Sequence, residues 1–107
     1  MKYYYPAVFE PAEEGGYVLQ VPDIQGCITQ GDDIPEAMFM VQDAIGLMLD
    51  EVDEKDYPKP SSFKDIDLSG YEPGAFISYV CFDKEEYDRA IAEGNFNDED
   101  DNAVEEN

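Results

Sequence analysis

Histidine is absent from this chain, and Lys and Arg together number only 6. Without imidazole there is no Ser-His-Asp or Cys-His pair and no His-containing zinc site, although carboxylate-only chemistry stays open. The scarcity of cations argues against nucleic-acid binding, which depends on Lys and Arg neutralising phosphates, and against anionic membrane surfaces. Cysteine is scarce too. Cys27 and Cys81 lie far apart, form no CxxC, and read as two small buried hydrophobes of a reducing compartment. The longest unbroken apolar run, Ala37–Val41, is far too short to cross a bilayer, as is Leu47–Leu49. The opening Met1-Lys2-Tyr3-Tyr4-Tyr5-Pro6 lacks the apolar core of a signal peptide, so the expected location is the cytoplasm.

What is abundant is acid. Asp and Glu number 27 in 107 residues, for a formal charge of −21, yet 43% of the residues are hydrophobic and 13% aromatic. That is enough apolar material for one small domain with its own core. A partner with a basic face would be steered towards such a chain.

Tyr3–Phe9 places Tyr3, Tyr5, Ala7 and Phe9 on one face of a strand, with Pro6 at a position that donates no ladder hydrogen bond. Pro11 to Gly16 ends in two glycines, and Tyr17–Val21 follows as a second strand, so the pair reads as an antiparallel hairpin. Pro22-Asp23-Ile24-Gln25-Gly26 turns the chain into a short third strand, Cys27–Gln30. The stripe Ile34, Ala37, Met38, Val41, Ala44, Ile45, Met48, Leu49 and Val52 then predicts a helix over Ile34–Val52. Asp33 as cap, Pro35 in the first turn and Glu36 three residues after Asp33 write its start. Its opposite face carries Glu36, Gln42, Asp43 and Asp50. Ala75–Phe82 is a nearly continuous apolar run and reads as a buried strand. Asp83 caps a short helix over Lys84–Ala92, closed by Gly94. The expected architecture is a two-layer α+β domain of order β-β-β-α-β over residues 1–94, with a short terminal helix, followed by a flexible acidic tail over residues 95–107.

No catalytic, cofactor-binding or metal-binding residue is assigned. Asp65 to Gly70 resembles the first half of a calcium loop, but the position that needs a bidentate acid is Phe76. The acidic turn and helix start, Asp23, Gln25, Asp32, Asp33 and Glu36, are the expected partner-binding residues. Their local explanation stays open beside the functional one: Asp23 forms a turn, and Asp33 and Glu36 cap a helix. Phe39 and Met40 fall off the apolar stripe and are the expected self-association residues of a homodimer.

The run Gly15-Gly16-Tyr17, then Val21-Pro22-Asp23-Ile24-Gln25-Gly26-Cys27, then Thr29-Gln30-Gly31-Asp32, then Glu36-Ala37 resembles the HicB family of antitoxins. Tyr5-Pro6-Ala7 and Phe9 fit the same pattern, and the likeness covers about half the chain. The resemblance implies an incomplete ribonuclease-H-like fold: a three-stranded meander, a helix, and a fourth strand alongside the first. It also implies a non-enzymatic role, neutralising HicA, a small basic toxin that degrades RNA. Many family members carry a carboxyl-terminal DNA-binding segment. After Phe82 this chain offers only Lys84 and Arg89 as bases, so direct nucleic-acid binding is not expected. Two other readings stand beside the antitoxin: a stand-alone HicB-like domain with a different partner, and a residual metal-dependent nuclease.

Overall fold

The computed structural model describes residues 1–94; the acidic tail expected over 95–107 lies outside the described residues. Strand β1 is Lys2–Pro11, β2 is Tyr17–Gln20 and β3 is Ile28–Gly31. Helix α1 spans Ile34–Leu49, β4 spans Phe76–Asp83 and α2 spans Lys84–Ala92. The four strands form one antiparallel sheet in the order β3-β2-β1-β4, so the fourth strand does lie beside the first. This is the α+β, incomplete ribonuclease-H-like arrangement.

The meander forms where turn chemistry demands it. Gly15 and Gly16 both adopt positive φ, and Ala12 and Gly16 close the β1–β2 turn through backbone bonds. Gly26 supplies the same conformation before β3. Alternation puts Tyr5, Ala7 and Phe9 of β1, Leu19 of β2, and Val80 and Phe82 of β4 on one face. All are buried there with Ala37, Val41, Ile45 and Leu49 of α1. Gly31 lets β3 pass against the start of α1, since a Cβ there would lie 2.6 Å from the backbone of Ala37.

Helix α1 begins as its sequence dictates. Asp33 is the cap, its carboxylate accepting from Glu36 N–H at 2.9 Å, with Pro35 in the first turn. It ends at Leu49, three residues before the predicted limit. No base stands in its last turn to answer the dipole, and an acidic run follows. Two stripe residues are also less buried than the periodicity implies: Ile34 is 40% exposed and Met48 42%. Ile34 opens the helix beyond the sheet, and Met48 overhangs the short edge strand, its methyl near Gly26.

The connection from α1 to β4 has no counterpart in the periodicity. It passes Tyr57, which packs edge-on to Tyr3 at 5.2 Å, then Ser61, and then crosses to the other sheet face. There Phe63 N–H donates to the Tyr79 hydroxyl, and Glu72 N–H donates to Glu10. Half-buried Ile66, Leu68 and Tyr71 travel with it. This cover explains why Pro6 and Val8, on the outward side of β1, are fully buried. β4 is an edge strand rather than a central one, and its first half stays open, with Phe76 39% and Tyr79 42% exposed.

Candidate partner-binding surface

Three of the expected contact residues are engaged within the fold, and the five do not form one cluster. Asp23 is half-buried, and its two carboxylate oxygens accept from Ser61 N–H at 2.8 Å and Ser61 Oγ–H at 2.6 Å. It straps the long connection to the β2–β3 turn. Gln25 is exposed at the tip of that same turn. Asp32, Asp33 and Glu36 stand at the other end of β3, about 13 Å of strand away. Asp33 and Glu36 each spend a carboxylate on the helix start, Glu36 accepting from Asp32 N–H. The side chain of Asp32 is exposed and makes no bond among the described residues. With Ile34 it borders a shallow groove floored by Tyr17 and Phe76.

Successive helical residues are 100° apart, so Phe39 and Met40 belong to different flanks of α1. The Phe39 flank continues through Gln42, Asp43 and Gly46 and faces β4 and α2. Gln42 Nε2 donates to Cys81 O at 3.1 Å, and Tyr87 of α2 donates its hydroxyl to Asp43 at 2.9 Å. Gly46 leaves room for the Tyr87 ring. The polar face of the helix is therefore, at Asp43, the seat of α2. Burial, together with the bond to Asp43, pushes the Tyr87 hydroxyl far above its ordinary range.

The Met40 flank is the one the sequence left unexplained. Glu36, Met40, Ala44 and Leu47 follow one another at steps of three or four, forming an apolar strip that opens on a carboxylate, and a second acid, Glu51, stands in the turn just beyond the helix. Met40 and Ala44 are half-buried, whereas Leu47 is 61% exposed. Met48, 42% exposed, adds to the exposed apolar area. No base occurs anywhere in α1. The signal was present as Leu47 inside Gly46-Leu47-Met48-Leu49, where a single core stripe cannot use every position.

Chemistry finds little purchase here. Among the described residues no group of three or more acids or cysteines is placed to hold a metal. Both cysteines are free, and burial pushes the Cys27 thiol up to about 11, which keeps it protonated at neutral pH. No helix among the described residues is long and apolar enough to cross a membrane.

Known proteins share both the sequence pattern and the fold. Antitoxin HicB 1 of Photorhabdus laumondii is 51% identical over 41 residues, 38% of this chain and 26% of that protein. Antitoxin HicB of Escherichia coli K12 is 44% identical over 41 residues, covering 38% and 30%. The chain thus spans under a third of the length of these two relatives. A toxin–antitoxin complex from Streptococcus pneumoniae contains a chain that superposes with a TM-score of 0.67 at 29% identity, over 81% of this chain and 73% of that one. Residues 5–93 match the family described as the HicB-like antitoxin of bacterial toxin–antitoxin systems. The meander, the capped helix and the returning fourth strand are thus those of a known lineage, and the chain belongs to the HicB-like antitoxin family.

Proposed function

We propose that this chain binds and neutralises a small basic HicA-like RNase, and that the Glu36–Met40–Ala44–Leu47 flank of α1, with Glu51 in the turn beyond it, is the surface it uses. The observation that carries the reading is an exposed apolar strip set among carboxylates on a helix without a single base. Apolar area supplies affinity, and the surrounding charge selects and steers a cationic partner. The exposed acids Asp32 and Asp50 add to that field. A second copy of this chain would set carboxylate against carboxylate at the same surface, which favours a basic occupant.

The test mixes the purified chain with a purified HicA-like toxin and follows RNA cleavage. Stoichiometric addition should abolish cleavage. Leu47→Ser should weaken inhibition at least about tenfold, because a central apolar anchor is lost. Asp32→Asn should slow association chiefly at low salt. A chain that leaves cleavage untouched refutes the antitoxin role, whereas full inhibition by Leu47→Ser refutes only the surface.

A further inference from the structure

We infer that the groove between the β1–β2 hairpin and the start of α1 seats an arginine side chain of a basic protein partner, its guanidinium lying on the Tyr17 and Phe76 rings and paired with Asp32. Which protein presents that side chain rests on the antitoxin reading; the chemistry of the seat rests on the groove.

Two close approaches of backbone build its walls. Tyr17 stands opposite Gly31 in the β2–β3 register, and Gly16, at φ 77°, lets the hairpin pass close against the end of β3. A Cβ on Gly16 would lie 2.6 Å from Gly31 O and 3.1 Å from Asp32 Cα, so Asp32 is held beside the hairpin. On the other side Gly74, at φ 91°, brings the chain entering β4 against the ring of Pro11, where a Cβ would lie 3.3 Å away. The floor is aromatic. Phe76 stacks on Phe9 at 4.9 Å, and Tyr17 stands edge-on to Phe76 at 5.9 Å. Helix α1 begins only at Ile34, so its cover reaches Phe9, which is buried, and leaves Phe76 39% exposed.

Charge selects the occupant. The backbone of Asp32 is fixed, its N–H donating to Glu36, while its exposed carboxylate makes no bond among the described residues. No base lines the groove, and none occurs in the sequence between Lys2 and Lys55. Open aromatic rings beside an uncompensated carboxylate attract a cation. A guanidinium suits both, because it stacks flat on a ring while its N–H fork engages a carboxylate. An ammonium is a compact, strongly hydrated charge that gains less from the rings. An apolar side chain would strip water from Asp32 and give nothing back.

NMR titration of the full chain at about 0.15 M salt provides the experiment. The probes are three end-blocked tripeptides with glycine on either side of arginine, lysine or citrulline. Arginine should give saturable shifts centred on Tyr17, Asp32 and Phe76. Lysine should bind about threefold more weakly, and citrulline, which keeps the shape without the charge, should not saturate. Phe76→Leu should weaken arginine binding about two- to fivefold, and Asp32→Asn about twofold or more. Should Phe76→Leu fail to fold, Asp32→Asn, which changes an exposed side chain, decides alone. Shifts spread over the whole acidic surface, lysine or citrulline binding as well as arginine, or a folded Asp32→Asn that binds like the parent would each overturn the inference. No toxin enters this titration, so its failure is distinct from failure of the antitoxin reading, which the cleavage assay decides.

Discussion

Replacing Gly46 by Ala sets a helix rule against a packing rule, and the structure says which should win. In an exposed helix interior the change stabilises by about 1 kcal/mol, because glycine costs backbone entropy. Here the new Cβ would fall inside the contact radius of three atoms of the Tyr87 ring. That ring is buried, stands 5.7 Å from Phe82 centroid to centroid, and is tied to Asp43 through its hydroxyl. With three ring atoms this close, forcing it outward costs about 2–3 kcal/mol, the upper part of the range for overpacking, so the net effect should be a loss of about 1–2 kcal/mol. In a Tyr87→Ala background the obstacle is gone, and Gly46→Ala should then stabilise by up to about 1 kcal/mol. The resulting coupling of about 2–3 kcal/mol is read from urea unfolding followed by circular dichroism on the four proteins of the cycle. A Gly46→Ala protein more stable than the parent, or equal effects in the two backgrounds, would refute the docking of α2 against this helix.

Three further outcomes follow from the same contacts. Among the described residues the buried Tyr57 hydroxyl has no hydrogen-bond partner, so Tyr57→Phe should stabilise by about 1 kcal/mol in urea unfolding, where most core truncations destabilise. Asp23→Ala should cost about 1.5–3 kcal/mol by cutting the strap to Ser61, and should expose Pro58–Ser62 to limited proteolysis. Asp32→Asn, by contrast, should stay within about 0.5 kcal/mol of the parent. Burial pushes the Tyr5 phenol up from 10.0 to about 12, so the folded state holds this proton more tightly than the unfolded chain does. Its contribution is complete below pH 10.0 and is lost as the pH rises towards about 12, which a falling urea midpoint across that window would register.

Local pattern made the elements legible. Asp33, Pro35 and Glu36 announced α1, paired glycines announced the hairpin, and alternation set the inward face of β1. The contacts between distant segments were not legible, because periodicity reports which face of an element is apolar and not what will cover it. Val8 shows the difference. It lies on the outward side of β1, yet the connection after α1 buries it completely. Likewise the nearly continuous apolar run of β4 read as a buried strand, whereas the strand is a sheet edge whose first half stays open and whose second half alone is buried. Gly46 was the overlooked clue, since a glycine inside a strong helix usually admits a close neighbour. The five expected contact residues scattered for the same reason: an acid's sequence position does not reveal whether a distant amide will claim it.

That last point bears on how so acidic a chain folds at all. With 27 acids and 6 bases, ion pairing cannot neutralise the surface, and pairs such as Lys2–Glu86 and Lys84–Asp88 lie at exposed positions where each contributes little. Carboxylates find backbone amides instead. Glu10, Asp23, Asp33, Glu36, Asp67 and Asp83 accept from the N–H groups of Glu72, Ser61, Glu36, Asp32, Ser69 and both Glu85 and Glu86. Burial alone would raise the pKa of Asp83, but the two amides at the start of α2, with Lys2 and the amino terminus, hold it below the usual range. Acids tied down this way fix turns and helix starts. The remaining acids, Asp32 and Glu51 among them, are left to project charge around the apolar strip of α1. On the proposed reading Glu36 serves both the helix start and the partner surface, whereas Asp23 serves folding and Asp32 only the surface charge, so exchanging Asp23 and Asp32 for neutral residues should separate the two roles, the first lowering stability and the second slowing association with a cationic partner.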